Sequence, residues 1–167
     1  IRHGERRRDT VLWDGFFEDL LERFRGMGYN VDYEVLNAVN YAVPQRRKRV
    51  IVMGVLDGEP SFPEPMDATI TVRNAIATLP SLDAGESSDI NGHVATNHND
   101  DNVQRMELVP DGGNMLDIPE EYHVDYLRPS NEGHCYGRLL WDQPSNTITT
   151  GFYRAGSGIF IHPEDDR

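Results

Sequence analysis

Lysine is nearly missing from this chain. Lys48 stands alone among sixteen basic residues, so the positive charge is almost entirely guanidinium. Cysteine is as scarce. Cys135 is the single one, which excludes an internal disulfide and fits a reducing compartment. No apolar run approaches the roughly 20 residues of a membrane-spanning helix. The charged opening stretch IRHGERRRDT has no apolar segment after it and does not read as a secretory leader. A cytoplasmic protein without a membrane partner is the expectation.

What is present is an acidic chain of 167 residues with 38% hydrophobic residues, enough for a core, and with ten prolines and fifteen glycines that demand many turns. The net charge of −12 is unevenly placed. Residues 1–50 carry ten basic and eight acidic side chains, and residues 51–167 carry six and twenty. Net charge governs solubility and steering, not the chemistry of one local site.

Trp13, Phe16, Phe17, Leu20, Leu21 and Phe24 recur at helical spacing, with Asp14, Glu18, Glu22 and Arg23 on the other face. They predict a helix capped by Asp9 or Thr10 and ended by Gly26 or Gly28. The alternation of Val31, Tyr33 and Val35 predicts a strand over 31–37. RVIVMGVL reads as a second strand, buried on both faces. After Leu56, DGEPSFPEPM carries three prolines and reads as a boundary. Beyond it, a short helix begins at Thr71, with Val72, Ala75, Ile76 and Leu79 inward. Another begins at Asn97 or Asn99. A strand around Thr147–Phe152 is expected to pair with SGIFIHP across a turn at Arg154–Gly156.

Four basic residues, Arg46 to Arg49, stand between Pro44–Gln45 and the second strand. In extended chain Gln45, Arg47 and Arg49 share one face, while Arg46 and Lys48 point away on the other. An amide and two guanidiniums aimed one way suit carboxylates, phosphates and the acceptor edges of bases.

LNAVNYAVPQRRKRVIVMG resembles motif VIII of the DNA cytosine-5 methyltransferases, Gln-x-Arg-x-Arg after an Asn-Ala-x-x-Tyr-x-x-Pro lead-in. Asn37, Ala38, Tyr41, Pro44, Gln45, Arg47 and Arg49 fall on that pattern. RLLWDQPSNTITTGFYRAGSGIFIHPEDDR is similar to motif IX, with Arg138, Pro144, Thr147 and Thr149 on pattern. NHNDDNVQRMELVPDGGNMLDIP, between them, resembles part of a target recognition domain. The family's Gly-rich cofactor loop, Pro-Cys nucleophile loop, Glu-Asn-Val segment and closing helix do not occur in these residues. Cys135 follows His134, not a proline.

The resemblance implies an α/β fold in two parts. Residues 1–57 would end a Rossmann-like catalytic domain, and residues 58–167 would form a small mixed α+β target recognition domain. It implies methyl transfer from S-adenosylmethionine to cytosine C5 in double-stranded DNA, in a restriction-modification setting. A thiolate adds to C6 of a base taken out of the stack. It gives Arg49 the O2 of the flipped cytosine and Arg47 the support of the same site. Gln45, Thr149, Gly112 and Gly113 become DNA-facing candidates. Arg138, Pro144 and Thr147 become structural, Arg138 chiefly as an organiser of loops. By itself the chain is expected to bind no cofactor and to be catalytically silent.

Other readings remain beside this one. Gly112 and Gly113 equally form a plain turn. Tyr122, Tyr126, Tyr136, Trp141, Phe152 and Tyr153 are read as core rather than base-stacking surfaces. His93, His98, His123, His134 and Cys135 lack the paired spacing of a zinc site, so no metal is expected. A non-catalytic DNA-binding module and an acidic interaction or DNA-mimic domain are the alternative functions, the latter because residues 51–167 are so acidic.

Overall fold

The computed structural model describes residues 15–124 and 134–166. Trp13, Asp9, Thr10 and Tyr126 lie outside them. Helix α1, Phe16–Gly26, starts after Gly15. Glu18 and Asp19 occupy its first turn and Arg23 and Arg25 its last, the order that complements the helix dipole. Its chain reverses through Gly28 in the left-handed region (φ 93°). Leu21 is fully buried and Phe17 meets Tyr33 edge-on at 4.8 Å. Phe16, in contrast, stays 68% exposed.

Strands β1, Asn30–Asn37, and β2, Lys48–Val55, pair antiparallel from Asn30↔Val55 to Asn37↔Lys48. A 3₁₀ turn at Ala38–Tyr41 joins them to the basic run. The expectation that β2 is buried on both faces is not met. Val50, Ile51 and Val52 are 36–41% exposed. The physical reason is a sheet of only two strands among the described residues, with α1 packed on β1. A continuous apolar strand of this type needs a layer on each side, and no second layer is described here.

Residues 57–71 have no regular secondary structure. They are nonetheless tied down. Phe62 is buried, Asn30 donates to the Gly58 carbonyl at 2.6 Å, and Met66 N–H donates to the Asn40 carbonyl at 2.8 Å. Helix α2, Val72–Ile76, is capped by Thr71 in a reciprocal box with Asn74. Val72 is buried, but Ala75 is exposed, because the helix lasts only five residues and a single turn turns inward. Helix α3, Asp100–Leu108, is capped by Asn99, whose side chain accepts from Asn102 N–H.

Two short strands, β3 at Gly137–Arg138 and β4 at Ile159–Ile161, pair parallel. This corrects the expected hairpin. Residues 147–152 form no strand, and Ile159–Ile161 takes Gly137–Arg138 as its partner. The stretch 143–148 instead lies beside the basic run, where its backbone groups are used. A core of Met106, Val109, Met115, Ile118, Cys135, Tyr136, Ala155 and Ile161 fills the space among α3, β3 and β4. Among the described residues no helix is long and apolar enough to cross a membrane.

Candidate nucleic-acid interface

The basic run is held by a segment about a hundred residues further along the chain. Arg46 N–H donates to the Ser145 carbonyl (2.8 Å), and Ser145 N–H donates to the Pro44 carbonyl (2.9 Å). Gln45 and Ser145 form an isolated parallel bridge. The Thr147 hydroxyl donates to the Arg46 carbonyl at 2.8 Å. The Arg46 guanidinium then closes the seam, donating to the Pro144 carbonyl at 3.0 Å and to Gln143 Oε1 at 2.5 Å. Arg46, though exposed, is therefore engaged within the protein. It clamps residues 143–144 to the basic run.

The other basic side chains are less engaged. Arg47 is positioned through its backbone, which donates to Asn37 Oδ1 (3.0 Å) and accepts from Ala38 N–H (3.0 Å). Its guanidinium reaches the Ile148 carbonyl at 3.4 Å, a long contact. Arg49 is exposed and donates to the carbonyl of neighbouring Lys48 at 2.6 Å. Gln45 is half-buried beside the seam. Thr149 is exposed, and its carbonyl accepts from Phe152 N–H at 3.2 Å, which begins a tight turn. The seam thus brings Gln45, Arg47 and the 147–149 stretch to one edge of the molecule. Gly112 and Gly113 are not part of that seam.

Arg138 sits elsewhere and is 5% exposed. It donates to the carbonyls of Val109 (3.0 Å), Met106 (2.5 Å) and His162 (2.9 Å) and to Asp166 Oδ1 (2.7 Å). One guanidinium thereby ties the end of α3 to the segment after β4. Gly112 and Gly113 are packed nearby. Gly112 has φ 66°, and a Cβ there would meet Leu140 at 3.0 Å; one at Gly113 would meet Pro110 Cγ at 2.7 Å. Gly113 also accepts from Arg138 N–H. Packing gives both glycines a reason to be there.

The first amides of α2 are fixed by the same motif IX stretch. Val72 and Arg73 N–H donate to the carbonyls of Gln143 and Trp141, both at 2.9 Å. Arg73 also forks onto the Asp142 carboxylate at 2.8 and 3.2 Å. That hydrogen bond holds Asp142 below the ordinary carboxylate range. Burial pushes the Cys135 thiol up, away from the thiolate that a nucleophile requires. Among the described residues no three His, Cys, Asp or Glu side chains are grouped to hold a metal ion.

Sequence reasoning missed Arg46, Ser145 and Gln143. Their roles depend on a backbone pairing across about a hundred positions, for which neither spacing nor residue type gives a local signal. Phe152 and Tyr153, read as core, are 56% and 46% exposed.

The family described as C-5 cytosine-specific DNA methylase matches residues 13–152. A type II methyltransferase of Methanothermobacter thermautotrophicus is 46% identical over 154 residues, which cover 90% of this chain and 39% of that protein. A type II methyltransferase of Haemophilus parahaemolyticus is 41% identical over 134 residues, covering 78% of this chain and 35% of that protein. A type II methylase of Herpetosiphon aurantiacus is 31% identical over 158 residues, covering 90% and 45%. The chain therefore spans less than half the length of these relatives.

Proposed function

This chain belongs to the family of C-5 cytosine-specific DNA methylases, and we propose that it supplies the base-holding and site-recognition portion of such an enzyme. In this reading residues 1–57 close a catalytic domain and residues 58–167 recognise a short duplex site. Arg49 holds O2 of a cytosine flipped out of the stack, and Arg47 supports the same pocket. Gln45 and Thr149 face the DNA beside it, with Gly112 and Gly113 as backbone that approaches the duplex. Arg138, Pro144 and Thr147 keep the frame in place. Methyl transfer from S-adenosylmethionine belongs to the whole enzyme, where a cysteine thiolate and the cofactor loop are joined to this portion. The relatives' type II designation extends the proposal to a restriction-modification setting.

One observation supports this reading most strongly. The seam between residues 44–47 and 143–148 draws Gln45, Arg47 and the run to Thr149 together from opposite ends of the chain. A guanidinium beside an exposed hydroxyl suits phosphate and base acceptors. Fluorescence anisotropy with labelled duplexes tests it. Binding that weakens steeply with added salt, and that falls when Arg47 and Arg49 are both changed to Ala, is the expected result. Equal binding by the double variant would remove the basic run from the interface.

A further inference from the structure

Residues 51–167 hold only six basic side chains. Of those that the structure describes, Arg73 is paired with Asp142, Arg105 donates to the Tyr122 carbonyl, and Arg138 is saturated inside the protein. Arg154 differs. Among the described residues no hydrogen bond or ion pair engages its guanidinium, which lies over the ring of Tyr153 with Cζ 5.3 Å from the centroid. With no carboxylate partner among the described residues, its donors are open to an acceptor from outside the described part of the chain.

Its loop is built to hold a position. Phe152 N–H donates to the Thr149 carbonyl and Arg154 N–H to the Gly151 carbonyl (2.9 Å). The Ser157 hydroxyl donates back to the Arg154 carbonyl at 2.8 Å and also contacts the Gly151 carbonyl. Arg154 and Tyr153 line an open groove of about 590 Å³ together with Thr96, His98, Asn102 and Tyr136. Burial holds His98 below the ordinary imidazole range, so that side chain is neutral at pH 7. Asn102 is already engaged by the Tyr136 hydroxyl at 2.6 Å. A groove lined by aromatic faces and neutral polar groups suits the flat edge of a base. A phosphate would need a cluster of cations instead. The guanidinium has one face covered by Tyr153 and its edge open, which is the geometry for a planar two-acceptor partner.

We propose that Arg154, laid on Tyr153 beside this groove, reads a guanine in the recognised duplex through paired hydrogen bonds to O6 and N7. Those two acceptors on one major-groove edge match two guanidinium donors. The inference rests on the DNA-binding reading above and deepens it to one position of the site.

The test uses the 167-residue chain, Arg154→Lys and Arg154→Ala, each selecting from a library of random-sequence duplexes. The selected duplex is then titrated against each protein, with guanine and with 7-deazaguanine at the candidate position and at several salt concentrations. The wild type should demand guanine at one position. Arg154→Ala should lose that demand and bind the selected duplex roughly ten- to a hundredfold more weakly. Removing N7 should weaken the wild type but not Arg154→Ala. Arg154→Lys should recover general affinity without the full preference. A uniform loss on every sequence, with the salt slope reduced by about one, would make Arg154 a phosphate contact and overturn the proposal. Site selection that survives Arg154→Ala would overturn it while leaving the DNA-binding reading intact. A wild-type chain that binds no duplex would overturn both.

Discussion

Arg138 donates to four carbonyls, that of Asp165 at a long 3.4 Å, and to a carboxylate, and is almost fully buried. Arg138→Lys keeps the charge but cannot fork in three directions. Several buried acceptors would lose their donors, each costing about 1–3 kcal/mol. Arg138→Lys should therefore lower the urea midpoint by an amount equivalent to about 3 kcal/mol or more. A midpoint within error of wild type would show that water donates to those carbonyls in its place. Arg46 and Arg49 make the contrast. Arg46→Ala removes donors from the part-buried Pro144 carbonyl and from exposed Gln143 and should cost about 0.5–1.5 kcal/mol of stability, seen as a melting temperature a few degrees lower. Arg49→Ala should leave the melting temperature unchanged, because its side chain is exposed and meets only its neighbour's carbonyl. Its effect belongs to the intact enzyme, as a roughly ten- to hundredfold slower methyl transfer in single turnover if it holds the flipped cytosine. Arg46 is thus expected to act on stability and Arg49 on chemistry.

Elements whose signals are local were legible in the sequence. The helical spacing of Phe17, Leu20 and Leu21 gave α1, Thr71 and Asn99 gave the caps of α2 and α3, and the alternation of Val31, Tyr33 and Val35 gave β1. Elements defined by a distant partner were not. Ile159–Ile161 has the composition of a hairpin strand, yet its neighbour in space is Gly137–Arg138, which is too short to carry a pattern. Of the candidate site, the residue types at 45, 47, 49 and 149 could be read, but the seam that draws 45, 47 and 149 together could not, because it is made of backbone groups at Pro44, Ser145 and Arg46. The proline-rich stretch lies between these cases. It has the composition of a boundary, and Asp57, Gly58 and Glu59 are exposed, but Phe62 is buried and Met66 is bound to Asn40. Limited proteolysis should cut within 57–61 well before it cuts in Val50–Val55, where strand hydrogen bonds protect the backbone. Early cleavage inside β2 would mean that the two-stranded sheet opens more readily than the linker.

At the scale of the molecule the question is whether these 167 residues can perform any methyl transfer themselves. The reaction needs a thiolate that can reach C6 of the base. Cys135 is 4% exposed, is packed with Met106, Met115 and Ile161, and has its thiol pKa raised by burial. It is built as a small apolar core residue, and its ionisation would work against the fold. The sign follows from the raised pKa: the stability that the neutral thiol contributes is complete below the unfolded-state value and is lost as pH rises through the folded-state value. A thiol reagent such as dithiobis-nitrobenzoate should consequently react slowly with the native chain at pH 7.5 and rapidly in urea, and Cys135→Ser should leave DNA binding unchanged. With no other cysteine and no Gly-rich loop in the sequence, calorimetry should detect no saturable binding of S-adenosylmethionine. Incubation of the chain with tritiated cofactor and duplex DNA should give no methyl transfer above background. Transfer that Cys135→Ser abolishes would mean that the core around Met106 and Met115 opens to admit a base. That outcome would place the catalytic centre inside these residues.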